Sequence, residues 1–283
     1  MDSKEKYINP FTDFGFKKLF GTEFNKELLI DFLNQVLGDR ERVQDLTYLN
    51  TENLGNTKMD RKAIFDLYCE NEKGEKFIIE LQNVKQQYFK DRSIFYSTFP
   101  IQSQAPKGKE WDYYLKAVYT IGILNFSFPD QYEQERFLRE IQLIDKQTHE
   151  VFYDKLTFIY LEMPKFRKEE DELISQFDKW MYVLKNLHQL QDRPVKLQEK
   201  VFEKLFSEAE IAKLNSEDMK AYEESLKTYR DNYSIIETAK KEGILEGASK
   251  REIEIARELK TNGVSIDIIE KTTGLTKEQI EKL

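Results

Sequence analysis

Apolar residues recur at helical spacing near the start of the chain, at Phe16, Leu19 and Phe20 and again at Leu28, Leu29, Phe32, Leu33 and Val36. The spacing predicts a helix over Thr12–Leu37, capped by Thr12 or Asp13, interrupted or bent at Gly21 and closed by Gly38-Asp39. A polar stretch, Asn50–Lys58, leads to two runs of strand character, Ala63–Cys69 and Lys76–Gln82, separated by the turn sequence Glu70-Asn71-Glu72-Lys73-Gly74-Glu75. A helix is expected over Val84–Phe99, stopped near Pro100, then a loop containing Pro106 and Gly108. Further strands are expected at Lys116–Phe126, Phe137–Ile144 and Leu156–Met163. From Lys168 the pattern turns helical, with one stripe at Trp180, Val183, Leu184 and Leu187 and another at Val201, Phe202 and Leu205. This order predicts an α/β core with a helical annex that packs back on it.

Beyond about Ile235 the texture changes. Gly243, Gly247 and Gly263 are the only glycines between Gly122 and Gly274. Arg251–Lys260 reads as a charged amphipathic helix, Asn262-Gly263 as its C-cap, and Ser265 as the cap of a short helix, Ile266–Lys271. Thr273-Gly274-Leu275 is a turn, and Thr276 with Gln279 forms a capping box that opens a final helix. The expected organisation is a domain over residues 1–234, its annex starting at about 168, and a helix-turn-helix-like tail over 235–283.

Composition narrows the classes. With 283 residues, 40% hydrophobic and 34% charged, the chain has room for one large domain and an appendage, and its 13% aromatic content argues against disorder. No apolar run approaches the roughly 18–20 residues of a membrane span, and Met1-Asp2-Ser3-Lys4 has no signal-peptide core. The single cysteine, Cys69, excludes a disulfide framework and makes the reducing cytoplasm the expected compartment, with Cys69 itself facing a core. His149 and His188 are too few for a multi-histidine zinc site. The formal net charge of −8 counts, taken alone, against a nucleic-acid partner.

The chemistry concentrates in the hairpin formed by Phe65-Asp66-Leu67-Tyr68-Cys69 and Phe77-Ile78-Ile79-Glu80-Leu81-Gln82. Side chains alternate along a strand, so Glu80 and Gln82 share a face. A three-residue loop, Glu72-Lys73-Gly74, with Gly74 at positive φ, pairs residue 71 with 75 and sets Asp66 opposite Glu80. Opposed pairs hold their Cβ atoms about 4.5–5.5 Å apart. Two carboxylates that close, with Ile78, Ile79 and Leu81 around them, repel unless a cation lies between. A hard divalent ion is the natural partner, with the Leu81 carbonyl as a further ligand and Gln82 placed to orient water or phosphate. A solvated acidic face is the other reading of the same spacing, but Glu80 interrupts a strongly apolar run, where burial without a partner is costly.

These residues resemble a family. Asp66 followed by Glu80-Leu81-Gln82 is similar to the D…(D/E)-x-K signature of the PD-(D/E)XK nuclease superfamily in an E-x-Q form. The stretch Thr12-Asp13-Phe14-Gly15-Phe16-Lys17-Lys18-Leu19-Phe20-Gly21, followed by Leu28-Leu29-Ile30-Asp31-Phe32-Leu33-Asn34, resembles the opening of the Rpn-type recombination-promoting nuclease/transposase group. Gly74-Glu75-Lys76, Arg92-Ser93 with Tyr96, Glu162-Met163-Pro164-Lys165-Phe166 and Thr273-Gly274-Leu275-Thr276 through Ile280 extend the likeness in order over nearly the whole chain.

The resemblance implies a restriction-endonuclease-like mixed sheet flanked by helices and Mg²⁺-dependent cleavage of DNA, with Mn²⁺ as a substitute, in the service of recombination or mobile-element transfer. Asp66 and Glu80 would be the metal ligands. Asp13 would be the further acid that a first helix often contributes, with Lys17 one turn along; their other readings are a helix cap and a solvated lysine. Phe65 stands where the superfamily name has Pro, without chemical consequence. Gln82 stands where the superfamily usually has Lys, as is usual in the Rpn-like group. A neutral amide brings no positive charge to the transition state, which implies low activity or a second metal. Lys85, Lys90, Arg92, Lys107 and Lys109, interleaved with Tyr88, Tyr96, Trp111 and Tyr113, are read as a phosphate-contacting rim or as an amphipathic surface helix. The tail invites a DNA-recognition reading, but its lysines are balanced by acids, so homo-oligomerisation or packing is equally open to it. The alternatives to a DNA endonuclease are a non-catalytic DNA- or protein-binding module on the same fold, or the same core acting on RNA. The acidic excess does not exclude DNA, because residues 1–130 hold 18 basic and 20 acidic side chains, against 26 and 32 in 131–283.

Overall fold

The computed structural model describes residues 5–53, 63–105, 112–129 and 136–283. Helices α1 (Asp13–Phe20) and α2 (Lys26–Leu37) are followed by strands β1 (Leu46–Tyr48), β2 (Glu52–Asn53), β3 (Ala63–Ile64), β4 (Leu67–Asn71) and β5 (Lys76–Gln82). Then come α3 (Phe89–Gln102), β6 (Val118–Leu124), β7 (Leu138–Ile144), β8 (Val151–Glu162), α4 (Gln176–Asn186) and α5 (Lys200–Ala209). The chain ends with α6 (Ser216–Thr261), α7 (Ile266–Thr273) and α8 (Lys277–Glu281). A six-stranded mixed sheet runs β1-β4-β5-β6-β8-β7, parallel across β5-β6-β8 and antiparallel elsewhere, while β2 and β3 pair separately. This is the expected α/β architecture, a mixed sheet flanked by helices.

The central parallel strands are apolar because helices cover both of their faces. On one face Phe77, Ile79, Ile121, Ile123 and Leu161 pack into a core with Phe16, Leu19, Phe32 and, from the annex, Trp180 and Phe202. Trp180 lies against both Phe20 and Phe32, so the annex stripe packs back on the first helices as its periodicity predicts. The other face is covered by α3: Phe89 joins Leu124, Phe158 and Tyr160, and Tyr96 joins Phe65, Tyr68 and Ile78. Cys69 is buried in the first core.

Several elements differ from expectation. The helix read over Thr12–Leu37 is interrupted at Gly21 as expected, but by a full break: Gly21 caps α1, a short 3-10 turn, Glu23–Asn25, leads into α2, and Thr12 is the N-cap of α1. The strand read over Ala63–Cys69 divides around Phe65 and Asp66, because β3 pairs with β2 while β4 pairs with β5. Helix α3 starts at Phe89, not Val84, and carries Pro100 inside its last turn. A proline there removes the N–H that would bond the Tyr96 carbonyl, four residues earlier. Pro106, Lys107, Gly108, Lys109 and Trp111, and the polar stretch from 54 to 58, lie outside the described residues.

By contact the chain divides into two units, residues 1–229 and 230–283. Helix α6 has 46 residues and contains Gly243 and Gly247, so those glycines do not punctuate the tail. Within the second unit Gly263 and Gly274 do sit at positive φ, the Thr276–Gln279 capping box is formed, and Ala256, Ile269, Leu275 and Ile280 make a small core. No helix among the described residues is long and apolar enough to cross a membrane.

One close approach fixes α1. A Cβ at Gly15 would lie 2.2 Å from the Asn9 carbonyl oxygen, inside any real contact distance. Gly15→Ala is therefore expected to destabilise the first unit by about 1–3 kcal/mol. It would be read as a lower urea midpoint at unchanged slope, and an unaltered midpoint would contradict the packing described.

Candidate active site

The hairpin has the register that its turn dictates. Gly74 has φ 80°, its N–H donates to the Asn71 carbonyl at 3.0 Å, and the Asn71 N–H donates to the Glu75 carbonyl at 3.1 Å. Pairing then runs from Glu70 opposite Lys76 to Leu67 opposite Ile79. One step further places Asp66 opposite Glu80, but there the backbone ladder stops and side chains take over. The Leu81 N–H donates to Asp66 Oδ2 at 2.7 Å, and the Asp66 N–H donates to Glu80 Oε1 at 3.4 Å. Asp66 thus leaves the strand because its own carboxylate replaces the backbone acceptor that Leu81 would otherwise need.

The two carboxylates make an unfavourable pair as they stand. Glu80 is 9% exposed. Burial, and next the negative charge of Asp66, push its pKa up to about 8, with the Arg92 charge opposing. Asp66 is also raised, first by burial and then by the charge of Asp13, against the Leu81 hydrogen bond and the charges of Lys17 and Arg92. Five of the sequence candidates are therefore electrostatically joined at one place: Asp13, Lys17, Asp66, Glu80 and Arg92.

The donor set fits a hard divalent cation. Both side chains offer oxygen only, and each keeps lone pairs beyond the single backbone bond it accepts. The Leu81 N–H points toward Asp66, and in extended backbone the carbonyl of the same residue points to the same side, which adds a third oxygen. Among the described residues no group of three or more His, Cys, Asp or Glu side chains converges. Such an ion would therefore be held by two carboxylates and a carbonyl, with water completing its shell, as suits Mg²⁺.

Gln82 lies beside Glu80 on the face covered by α3. Its Nε2 donates to the Val84 carbonyl at 2.9 Å, and its Oε1 accepts from the Arg92 guanidinium. Asp13 is at the rim, exposed, with its carboxylate 2.7 Å from Lys17 Nζ. Lys85 and Lys90 are exposed, and Lys90 Nζ sits 4.8 Å from the centre of the Phe128 ring. Two further residues position the site, Asn83 without a signal in the sequence and Thr12 legible there only as a helix cap. Asn83 Nδ2 donates to the Phe11 carbonyl at 2.7 Å, tying the end of β5 to the start of α1, and the Thr12 hydroxyl donates to the Asn9 carbonyl at 2.8 Å. Both contacts are tertiary or local-turn bonds that no periodicity announces.

Other motif residues serve the scaffold. Asp31 accepts from Trp180 Nε1 at 2.6 Å and from Gln176 Nε2 at 2.8 Å, fastening α2 to the annex. Glu162 is fully buried, accepts from the Phe128 N–H at 2.8 Å, and is paired with Arg139 and with Lys165 at 3.0 Å. It holds the end of β8 rather than joining the Asp66–Glu80 pair.

No curated protein and no solved structure matches the chain. A family model described as PD-(D/E)XK nuclease family transposase matches residues 10–239, a span that takes in α1, the hairpin, α3 and the annex. With that span and the Asp66, Glu80-x-Gln82 hairpin inside it, the chain belongs to the PD-(D/E)XK nuclease family transposases.

Proposed function

We propose that this protein is a Mg²⁺-dependent endodeoxyribonuclease that hydrolyses phosphodiester bonds, with Mn²⁺ able to replace Mg²⁺, and whose breaks serve recombination or mobile-element transfer. The observation that carries this reading is the opposed pair Asp66 and Glu80, two oxygen-only donors brought together where the hairpin ladder ends, with burial and mutual repulsion opposing their ionisation. When bound, a divalent ion supplies compensating charge for the phosphate and makes a coordinated water more acidic. Asp66, Glu80 and the Leu81 carbonyl would hold it. Gln82 borders the same face and Asp13 adds negative charge at the rim. Lys17, Lys85, Lys90 and Arg92 lie where a nucleic-acid backbone would pass. The tail from 235 to 283 suits self-association better than base readout, since Lys277 is paired with Asp267 at 2.5 Å and Lys260 donates to the Ile280 and Glu281 carbonyls. The reducing cytoplasm is the fitting compartment for a chain whose lone thiol is buried.

The direct test incubates the full chain with supercoiled plasmid, and in parallel with a single-stranded RNA, in Mg²⁺, Mn²⁺ or EDTA. Nicked or linear plasmid in either metal and none in EDTA is expected. Cleavage of RNA with intact plasmid would move the substrate class to RNA. Intact plasmid and RNA in every condition would overturn the nuclease reading in favour of a binding module.

A further inference from the structure

The E-x-Q form leaves an open question of charge. The charge that develops on a phosphodiester during hydrolysis is stabilised by a fixed cation beside the metal, and Gln82 has none to give. We propose that Arg92 supplies the positive charge at the scissile phosphate and that Gln82 is the positioning residue that aims it. The assignment rests on the nuclease reading and goes beyond the rim role of Arg92, because it places the guanidinium at the reacting centre.

The geometry is specific. Gln82 Nε2 is held by the Val84 carbonyl at 2.9 Å, which turns Oε1 toward α3, and there it accepts from Arg92 Nη2. Arg92 Nη1 donates to Gln86 Oε1 at 2.6 Å. The guanidinium carbon lies 5.5 Å from the centre of the Phe89 ring and 5.6 Å from that of Tyr96. Two amides and two rings thus fix the plane of the fork, yet both hydrogen-bond partners are neutral. Among the described residues Arg92 forms no ion pair, so its charge is not committed to a protein carboxylate. It lines one small cavity together with Glu80, Ser93, Thr120, Gly122 and Tyr160, on the site side of α3. Its field reaches both Asp66 and Glu80. An exposed backbone-contacting arginine has no need of this framing. A cation that must meet a phosphate at one orientation does.

The test measures single-turnover nicking by the full chain as parent, Arg92→Met, Arg92→Lys, Arg92→Ala and Gln82→Lys/Arg92→Ala, each with its Mn²⁺ affinity by calorimetry and its melting curve. Arg92→Met keeps the apolar stem over Phe89 and Tyr96, so its fold is preserved. We expect about a 100-fold fall in the maximal rate for Arg92→Met and Arg92→Ala with half-saturating DNA changed less than threefold. Arg92→Lys should lie between, and the double variant should regain at least tenfold over Arg92→Ala. Mn²⁺ affinity should be equal or tighter in the neutral variants, since a cation beside the carboxylates has been removed. A parental rate in Arg92→Met, a loss confined to half-saturation, weakened Mn²⁺ binding or no recovery in the double variant each overturns the assignment. A parent that does not nick overturns the nuclease reading itself. A parent that nicks beside an equally active Arg92→Met overturns the Arg92 assignment alone.

Discussion

Asp66→Asn and Glu80→Gln are each expected to lower metal-dependent plasmid nicking by about 10³-fold, and the double variant by little more than the worse single one. The size follows from what the pair does in the proposed mechanism. In that mechanism both carboxylates would hold the same ion, and removing either would dismantle the same arrangement, so the two losses should not be additive. The amide variants test chemistry rather than folding. Asn at 66 keeps an oxygen for the Leu81 N–H, which Asp66 accepts at 2.7 Å, and Gln at 80 keeps one for the Asp66 N–H at 3.4 Å. Asp13→Asn should cost no more than about tenfold, since its carboxylate is 64% exposed and already paired with Lys17, and its effect reaches the site only through its charge. Nicking by Glu80→Gln within tenfold of the parent would remove the pair from the mechanism.

How much of this was readable beforehand divides along physical lines. The Asp66–Glu80 juxtaposition was legible because one glycine fixes it: positive φ at Gly74 selects the turn, the turn selects the register, and a strand period of two does the rest. The apolar stripes of α2 and α4 were legible because burial on one face imposes their spacing. The break at Phe65 and Asp66 was not, because strand propensity cannot anticipate a side chain that satisfies a backbone N–H across the hairpin. Nor was the length of α6. Each of Gly243 and Gly247 costs a helix only about 1 kcal/mol, which strong helix formers on either side offset. The pairing of Arg92 with Gln82 joins residues ten apart on different elements, and that contact exists only once α3 lies on the sheet.

The carboxylate that the proposed function requires should also be a liability to the fold. Burial raises Glu80 from an ordinary value of 4.5 to about 8, so in the absence of metal the folded chain holds a proton there that the unfolded chain releases. Below about pH 4.5 both states are protonated and the carboxyl carries no penalty. As pH rises from 4.5 through 8 the native state is progressively penalised, and above 8 the full penalty applies. Glu80→Gln removes a group that must ionise in a buried place. In EDTA it should match the parent near pH 4.5 and exceed it at pH 8 by about 1–3 kcal/mol, a melting-temperature gain of roughly 3–9 °C for a unit of this size. Mn²⁺ should reverse the order, raising the parent's melting temperature most at high pH, where the carboxylates are ionised, and leaving Glu80→Gln nearly unmoved. The measurement is a set of thermal melts of both proteins across that pH range, with EDTA and with Mn²⁺. A Glu80→Gln variant less stable than the parent at pH 8 in EDTA would mean that the carboxylate is held by the fold rather than kept for a cation.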